Sequence, residues 1–182
     1  MTVIGVLTEN ESGGIEKTVI KMLISGGVSV KVADNRDNKF NIPESQADVL
    51  LIPMKKNVSI PLLLDILILE NPDLISYELL GSVSLETRLI YNADKSSFRF
   101  NHTNAISYGM TYSADVTVSS IDDKFGNSFV FCLQRAVTSM NGNLFYAGEF
   151  TVDNDKTSIN EILPAITCAM LCDTFSVQKA KI

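Results

Sequence analysis

Several features that mark other classes of protein are scarce in this sequence. Its 182 residues include three cysteines and one histidine, and an odd number of cysteines argues against a disulfide framework. The longest apolar run, IPLLLDILIL, contains Asp65 and is far shorter than the roughly 20 residues of a membrane-spanning helix. The first residues, MTVIGVLTEN, have no basic segment before their apolar stretch, so no signal peptide is predicted. These absences predict a soluble protein of the reducing cytoplasm.

Positive charge is scarce as well. Lys and Arg number 15 against 21 Asp and Glu, and the formal net charge is −6. No cluster of basic residues stands out, which argues against a nucleic-acid-binding surface because such surfaces are basic. Apolar residues make up 46% of the chain, enough for a full core. With no repeat, low-complexity tract or linker, residues 1–182 are predicted to form a single domain.

The first ninety or so residues alternate apolar runs with helical patterns. TVIGVL is a predicted strand, and the loop from Thr8 to Gly14 leads into a predicted amphipathic helix. The apolar face of that helix consists of Ile15, Val19, Met22 and Leu23. VSVKVA, DVLLIP, DILILE and LETRLIYNAD are further predicted strands, and residues 34–47 a predicted polar loop. Continuous apolar strands are typical of parallel sheets that are covered on both faces.

The second half of the chain has a different pattern. AISYGM, ADVTVSSI, NSFVFCLQR and NLFYAGEFTV are joined by turns such as FGN and NGN, which predicts antiparallel hairpins. A last helix, SINEILPAITCAMLCDTF, has Ser158 and Glu161 in capping-box spacing, and Pro164 is expected to delay or kink it. The predicted fold class is α/β: a mostly parallel sheet with flanking helices, plus an antiparallel hairpin region in the second half.

Few residues suggest catalysis or metal binding. Cys168 and Cys172 lie on one helix face, but two thiols without further ligands rarely form a zinc site, so core packing is predicted. His102 lies in a polar turn with no evident Ser or Cys partner. The run at residues 122–124, DDK, is predicted to be a solvated hairpin turn. No catalytic residue and no metal site are predicted.

Four other charged residues, two lysines and two aspartates, are candidates for a functional role. The lysine pair of MKKN, residues 54–57, follows a predicted parallel strand, where ligands of open α/β sheets bind. A residual anion site there stays open beside the alternative of two exposed lysines. Asp94 and Asp115 are predicted to have structural or neutral roles.

Taken in order, several segments resemble the ATP-binding central domain of the Mur ligases and folylpolyglutamate synthetase. Those domains open with the motif GVTGTNGKTTTT, followed by a helix and the motif AGYKVGV. In an alignment without gaps, Gly5, Val6 and Asn10 match the first motif, and Gly27 and Val30 match the second. ADVLLIP, DILILENPD, LIYNAD, AISYGMTYSADVTVSSI and TSINEILPAITCAML resemble the family's later strands and closing helix. The resemblance runs from the first residue nearly to the end, and it implies a P-loop-type α/β fold.

The same register implies that the family's ATP site is incomplete here. The phosphate-loop lysine falls on Ser12, the magnesium-binding threonine on Gly13, and the loop glycines on Thr8 and Glu11. A phosphate loop works because backbone N–H groups and one ammonium converge on an anion. The carboxylates of Glu9 and Glu11 would repel that anion. Each repulsion costs about 4 kcal/mol at a separation of about 4 Å and an effective dielectric near 20, before screening.

Other positions of the family's site depart in the same way. An alternative alignment treats EKT at residues 16–18 as a remnant of the family's GKT. It needs an insertion, and it breaks the match between the helix of this chain and that of the family. The metal-binding glutamate falls at or near Pro53, and the family's DH motif survives at most as Asp73. In the closing helix, Thr157 replaces the asparagine implied to lie near adenine, whereas Asn160 keeps the second one. The residual phosphate-loop and adenine-side positions are Asn10, Ser12, Gly13, Gly14 and Asn160.

These departures predict a non-catalytic Mur ligase-like protein that binds no cofactor and acts through a protein or a small ligand. The alternative is a half-enzyme, a ligase subunit that binds ATP and Mg²⁺ and completes its active site with a partner chain. Gly5, Asn10, Gly13, Lys17 and Asn160 favour that alternative. Mur ligases carry domains on both sides of the central one, for which this chain has no room, so a protein partner or self-association is expected at the surfaces left exposed.

Overall fold

The computed structural model describes residues 1–9, 13–36, 39–41, 46–54, 60–100, 104–121, 128–153 and 157–176. Its strands are β1 (Thr2–Leu7), β2 (Val30–Val32), β3 (Asp34–Arg36), β4 (Lys39–Asn41), β5 (Val49–Met54), β6 (Ile66–Leu69), β7 (Arg88–Asn92), β8 (Ala105–Tyr108), β9 (Val116–Ile121), β10 (Ser128–Leu133), β11 (Val137–Thr138), β12 (Leu144–Phe145) and β13 (Gly148–Asp153). Its α-helices are α1 (Gly14–Ser25), α2 (Tyr77–Leu80) and α3 (Ile159–Leu171), with one 3₁₀ turn at Pro72–Leu74.

Nine strands form one mixed sheet in the order β13-β10-β9-β8-β7-β6-β1-β5-β2. The strands from β2 across to β9 are parallel to one another, whereas the β9–β10 and β10–β13 pairs are antiparallel. This arrangement confirms the predicted α/β class with a mostly parallel sheet. In the central strands every residue of β6 and β8 is buried, as expected where both faces are covered.

Helices α1 and α3 lie side by side on one face of the sheet. Val19 and Leu23 of α1 and Ile166 of α3 are fully buried in the core between the helices and the strands. Cys168 is fully buried in the same core and Cys172 packs against it, which confirms that both thiols contribute to packing. The apolar face predicted for the first helix is therefore the face that the structure buries.

The opposite face of the sheet is covered by the connections that follow β5 and β6. Leu50 and Leu67 are buried there beside Leu64 and Leu79. The predicted alternation of strand and helix is only partial on this side, because the described part of the β6–β7 connection holds just the 3₁₀ turn and the single-turn α2. Among the described residues, no helix has the length and hydropathy that crossing a membrane requires.

Two stretches differ from the sequence-based prediction. Residues 34–47 were predicted to be a loop, but β3 and β4 form a short antiparallel hairpin whose polar residues lack the apolar alternation that predicts strands. AISYGM was predicted to belong to the antiparallel region, but β8 is parallel to β7, with Ile106 beside Ile90, and antiparallel pairing begins only between β9 and β10. The predicted NGN hairpin does form between β11 and β12, where Gly142 has a φ of 88°.

The start of α3 differs from the predicted capping box. Ser158 does occupy the N-cap, and the helix continues through Pro164 without delay or interruption. The Ser158 hydroxyl, however, makes no capping hydrogen bond. The Glu161 carboxylate instead reaches the start of α1, where a Cβ built on Gly14 would come within 2.1 Å of Glu161 Oε1. A carboxylate is favoured at that position because the N-terminus of a helix carries partial positive charge.

Candidate functional site at the carboxyl edge of the sheet

The carboxyl ends of β1, β6 and β7 meet at the edge where open α/β sheets bind ligands. The loops that follow these strands carry Thr8, Glu9, Glu70, Asn71 and Lys95. These positions come from three separate parts of the chain, and the parallel register of the strands brings them together. The site therefore depends on the sheet, and not on any contiguous motif.

Lys95 lies between two carboxylates at this edge. Its Nζ is 2.6 Å from Glu9 Oε2 and 2.9 Å from Glu70 Oε1. The backbone N–H of Glu9 donates to Glu70 Oε2 at 2.8 Å, and Asn71 Nδ2 donates to Glu9 Oε1 at 2.6 Å. We call Glu9, Glu70, Asn71 and Lys95 the edge network. The N–H group of Glu9 lies in the loop after β1 and is of the kind that a phosphate loop offers to an anion, but here it is bound to a carboxylate of the protein itself.

The charges of the edge network stabilise one another. Hydrogen bonds from Lys95 and Asn71 lower the pKa of Glu9 below its usual range. Burial alone would lower the pKa of Lys95, but its bonds to Glu9 and Glu70 raise it above the usual value. The network therefore holds an ammonium ion and two carboxylates with one net negative charge when all three are ionised.

Glu16, in the first turn of α1, places another carboxylate beneath the loop. Glu16 is only 8% exposed, and its Oε1 accepts a hydrogen bond from Thr8 Oγ1 at 3.2 Å. Its Oε2 is buried and has no hydrogen-bond partner among the described residues. Burial raises the pKa of Glu16, and the nearby charge of Glu70 raises it further. An orphaned buried oxygen of this kind costs stability when the group is charged.

Replacing Glu16 with glutamine is expected to stabilise the protein at alkaline pH. A carboxyl group whose pKa is raised by folding opposes folding as the pH rises from the unfolded value, about 4.3, through the folded value. Glutamine keeps an acceptor for Thr8 without the charge. We expect the free energy of unfolding to increase by about 1 kcal/mol at pH 8 and to change little at pH 4.

Urea unfolding at the two pH values measures this effect. Glu86→Gln is the matched control, since Glu86 is exposed and its change should leave stability within about 0.5 kcal/mol at both pH values. A Glu16→Gln variant that is less stable than the parent at pH 8 would show that the ionised carboxylate has favourable partners.

Tyr108, at the carboxyl end of β8, is a second buried group near the edge network. Within the described part of the chain its hydroxyl has no hydrogen bond of normal geometry, although the side chain of Asn92 lies beside it. Burial raises the pKa of Tyr108, and the charge of Glu70 adds to that effect. The phenol therefore stays neutral, and Glu70 lies close enough to influence the buried groups on both α1 and β8.

The structure brings together some of the residual positions predicted from the sequence. Gly13 is the N-cap of α1 with a φ of 63°, and Gly14 is the first residue of the helix. The first turn of α3, which contains the exposed Asn160, lies against Gly14 through Glu161. The other predicted positions, Asn10 and Ser12, lie outside the described residues, as do the MKKN lysines, His102 and the run at 122–124.

Asp94 connects the ends of β7 and β8. Its carboxylate accepts hydrogen bonds from the backbone N–H of Met110 at 2.6 Å, from that of Thr111 at 3.0 Å, and from the Thr111 hydroxyl. Burial would raise the pKa of Asp94, but these bonds lower it. A Cβ on Gly109 would lie 2.7 Å from the Asp94 carboxylate, so a glycine is needed at this close approach. These contacts agree with the structural role predicted for Asp94.

Asp115 has a comparable position between β8 and β10. It accepts hydrogen bonds from the Ser107 backbone N–H at 2.8 Å and hydroxyl at 3.0 Å, and from Arg135 Nε at 2.6 Å. Arg135 Nη2 also donates to the backbone oxygen of Ala105 at 2.6 Å. Burial alone would raise the pKa of Asp115, but Arg135 and Ser107 hold it below its usual range. These contacts agree with the structural role predicted for Asp115.

Two further positions from the sequence analysis have no ligand-like arrangement. Asp73 accepts hydrogen bonds from the backbone N–H and the hydroxyl of Ser97 at 3.3 and 3.1 Å. Pro53 lies within β5 beside Val6 of β1. Across the described ranges, no three His, Cys, Asp or Glu side chains are arranged to bind a metal ion.

The fold is similar to that of solved ligases. A MurF structure from Acinetobacter baumannii matches 98% of this chain with a TM-score of 0.60 and 11% identity, over 44% of its own length. A UDP-N-acetylmuramoyl-L-alanyl-D-glutamate–2,6-diaminopimelate ligase matches 99% with a TM-score of 0.58 and 12% identity, over 45% of its length. Folylpolyglutamate synthetase from Lactobacillus casei matches 99% with a TM-score of 0.52 and 10% identity, over 61% of its length.

These matches concern the fold, because the sequence identities are low. No protein-family model and no curated protein matches the sequence. The chain spans less than two thirds of each of these three ligases. The likeness does extend over almost the whole of this chain, and it agrees with the order of the segments whose sequence resembles the family. The chain has a Mur ligase-like fold.

Proposed function

We propose that this chain is a non-catalytic Mur ligase-like protein of the cytoplasm, which does not bind ATP and acts by binding another protein. The observation that supports this proposal is the edge network. A phosphate loop offers N–H groups and an ammonium to its ligand. Here the N–H of Glu9 and the ammonium of Lys95 are both bound to Glu70, and Lys95 is bound to Glu9 as well.

The charge around the start of α1 supports the same proposal. Carboxylates of Glu9, Glu16, Glu70 and Glu161 come from three parts of the chain and lie near this helix end or the loop before it. The triphosphate of ATP would meet these charges, and each carboxylate at about 4 Å opposes a phosphate by about 4 kcal/mol at an effective dielectric near 20, before screening. In this proposal, carboxylates of the protein's own side chains take the place of the phosphate that a phosphate loop binds.

Calorimetric titration with ATP, with and without Mg²⁺, tests the proposal. We expect no binding heat at millimolar ATP in either titration, from protein whose folded state is checked by a cooperative thermal transition. The unfolding midpoint should also be unchanged by ATP, since a ligand that binds the folded state raises it. Micromolar binding that requires Mg²⁺ would contradict the proposal.

A half-enzyme remains the second candidate because Lys95 places an ammonium ion at the ligand-binding edge of the sheet. In that case a partner chain would supply the parts of the ligases that this chain does not span. The candidate requires ATP hydrolysis that appears only when a partner chain is added. It also requires that Lys95→Met abolishes that hydrolysis while the complex still forms.

A further inference from the structure

The two edges of the nine-stranded sheet are protected to different degrees. At one edge, β2 has only three residues, includes Lys31, and is followed directly by the β3–β4 hairpin. At the other edge, β13 has six residues in regular register with β10, and none of them is Pro, Lys or Arg. No described residue pairs with its outer side. Proteins usually shorten, bend or charge their edge strands, because an open edge offers unpaired N–H and C=O groups to another strand.

The side chains of β13 form two different rows. On the outer face of the sheet, Glu149, Thr151 and Asp153 are exposed. On the inner face, Val152 is fully buried and Phe150 is half-buried, with its ring stacked on that of Phe131 at 5.1 Å. The described residues provide no hydrogen bond or ion pair to the side chains of Glu149 and Asp153. An added strand would therefore meet an acidic row on one face and an aromatic surface on the other.

We propose that the outer edge of β13 binds an extended segment of another protein, in which basic residues alternate with apolar ones. The backbone of that segment pairs with β13 as a tenth strand, in the mode known as strand addition. Its basic side chains lie opposite Glu149 and Asp153, and its apolar side chains cover the exposed part of Phe150. This inference rests on the proposed binding role, and it names the chemistry of the partner.

Charge favours such a segment over a second copy of this chain. Each copy has a formal net charge of −6, which disfavours self-association. A symmetric antiparallel pairing centred on Thr151, which would use five of the six residues of the strand, places Glu149 of one copy opposite Asp153 of the other. Like charges directly opposite each other destabilise a strand pair. A basic segment pairs with the same edge without that repulsion.

Fluorescence anisotropy of a capped, fluorescein-labelled peptide in which lysine and valine alternate tests the proposal. We expect saturable binding by the full chain, and about tenfold weaker binding by a double variant with Glu149→Lys and Asp153→Lys. The matched control combines Glu78→Lys with Glu86→Lys, two exposed positions away from β13 that give the same net charge, and it should bind as the parent does. A peptide of equal composition with its lysines in one block should bind much more weakly.

Amide hydrogen exchange separates strand addition from attraction between charges alone. The alternating peptide should slow exchange within Gly148–Asp153 and leave exchange within Val30–Val32 unchanged. Equal binding of both peptides, or no slowing in β13, would overturn the proposal. Slow exchange in β13 that appears on concentrating the protein alone, together with a dimer in light scattering, would assign the edge to a second copy instead. These outcomes do not depend on the ATP titration. If the peptide does not bind to β13, the titration still tests the non-catalytic role on its own.

Discussion

Replacing Asp115 with alanine is expected to lower the free energy of unfolding by about 3 kcal/mol, the largest single effect that we predict. The change leaves the Ser107 N–H without its acceptor in a partly buried region. It also removes the ion pair of Arg135, which water screens in part because the Arg135 side chain is 44% exposed. It also releases Arg135 from the position in which it bonds to the Ala105 carbonyl. For a chain of this size, we expect the thermal midpoint to fall by roughly 6–12 °C.

The loss of unfolding free energy in the Asp115→Ala variant should depend on pH. Folding lowers the pKa of Asp115, so its charge contributes stability above the unfolded value of about 3.9, and that contribution is lost as the pH falls through the folded value. Unfolding in urea at pH 7 and pH 3 should therefore show a smaller difference between variant and parent at pH 3. Glu86→Ala, at an exposed position, is the control and should change stability by less than about 0.5 kcal/mol. A pH-independent deficit would mean that the carboxylate's charge is unimportant.

Replacing Lys95 with methionine is expected to lower the free energy of unfolding by about 2 kcal/mol. The change leaves the carboxylates of Glu9 and Glu70 facing each other without the ammonium between them. The expected effect is smaller than for a fully buried pair, since the Lys95 and Glu9 side chains are each 34% exposed and water screens them. Added salt should reduce the difference between variant and parent.

Lys21→Met is the matched control for Lys95→Met, because Lys21 is exposed on α1. The control should change stability by less than about 0.5 kcal/mol. A double-mutant cycle that combines Lys95→Met with Glu70→Gln measures the coupling directly, and we expect the two changes to be non-additive. Strictly additive effects would show that the ion pair contributes nothing to stability.

The parts of the fold that could be predicted from sequence are those governed by local pattern. TVIGVL coincides with β1, and the helical spacing of apolar residues located α1 and its buried face. The resemblance to the ligases located the segments in order, and the structure shows the corresponding fold. The hairpin formed by Asp34–Arg36 and Lys39–Asn41 could not be predicted, because its polar residues lack the apolar alternation that predicts strands.

Most of the candidate site could not be predicted from the sequence, because its contacts join residues that are far apart in the chain. Lys95 and Glu9 are 86 residues apart in the chain, and only the parallel order of β1, β6 and β7 brings them together. Comparison with the family's motif showed which positions lack the expected side chains, but it gave no sign that Lys95 would pair with Glu70. The orphaned oxygen of Glu16 was equally unforeseen, since burial of a charged residue in a first helical turn depends on the loop above it.

The packing of α1 along α3 has a consequence for how the chain is made. The apolar face of α1 is synthesised long before α3, the helix that covers it. The two helices approach closely at their ends, where a Cβ on Gly26 would lie 2.8 Å from the backbone oxygen of Thr174. Until α3 has been synthesised, a nascent chain therefore lacks the helix that covers this apolar surface. Such a topology delays the cooperative folding step until α3 has left the ribosome.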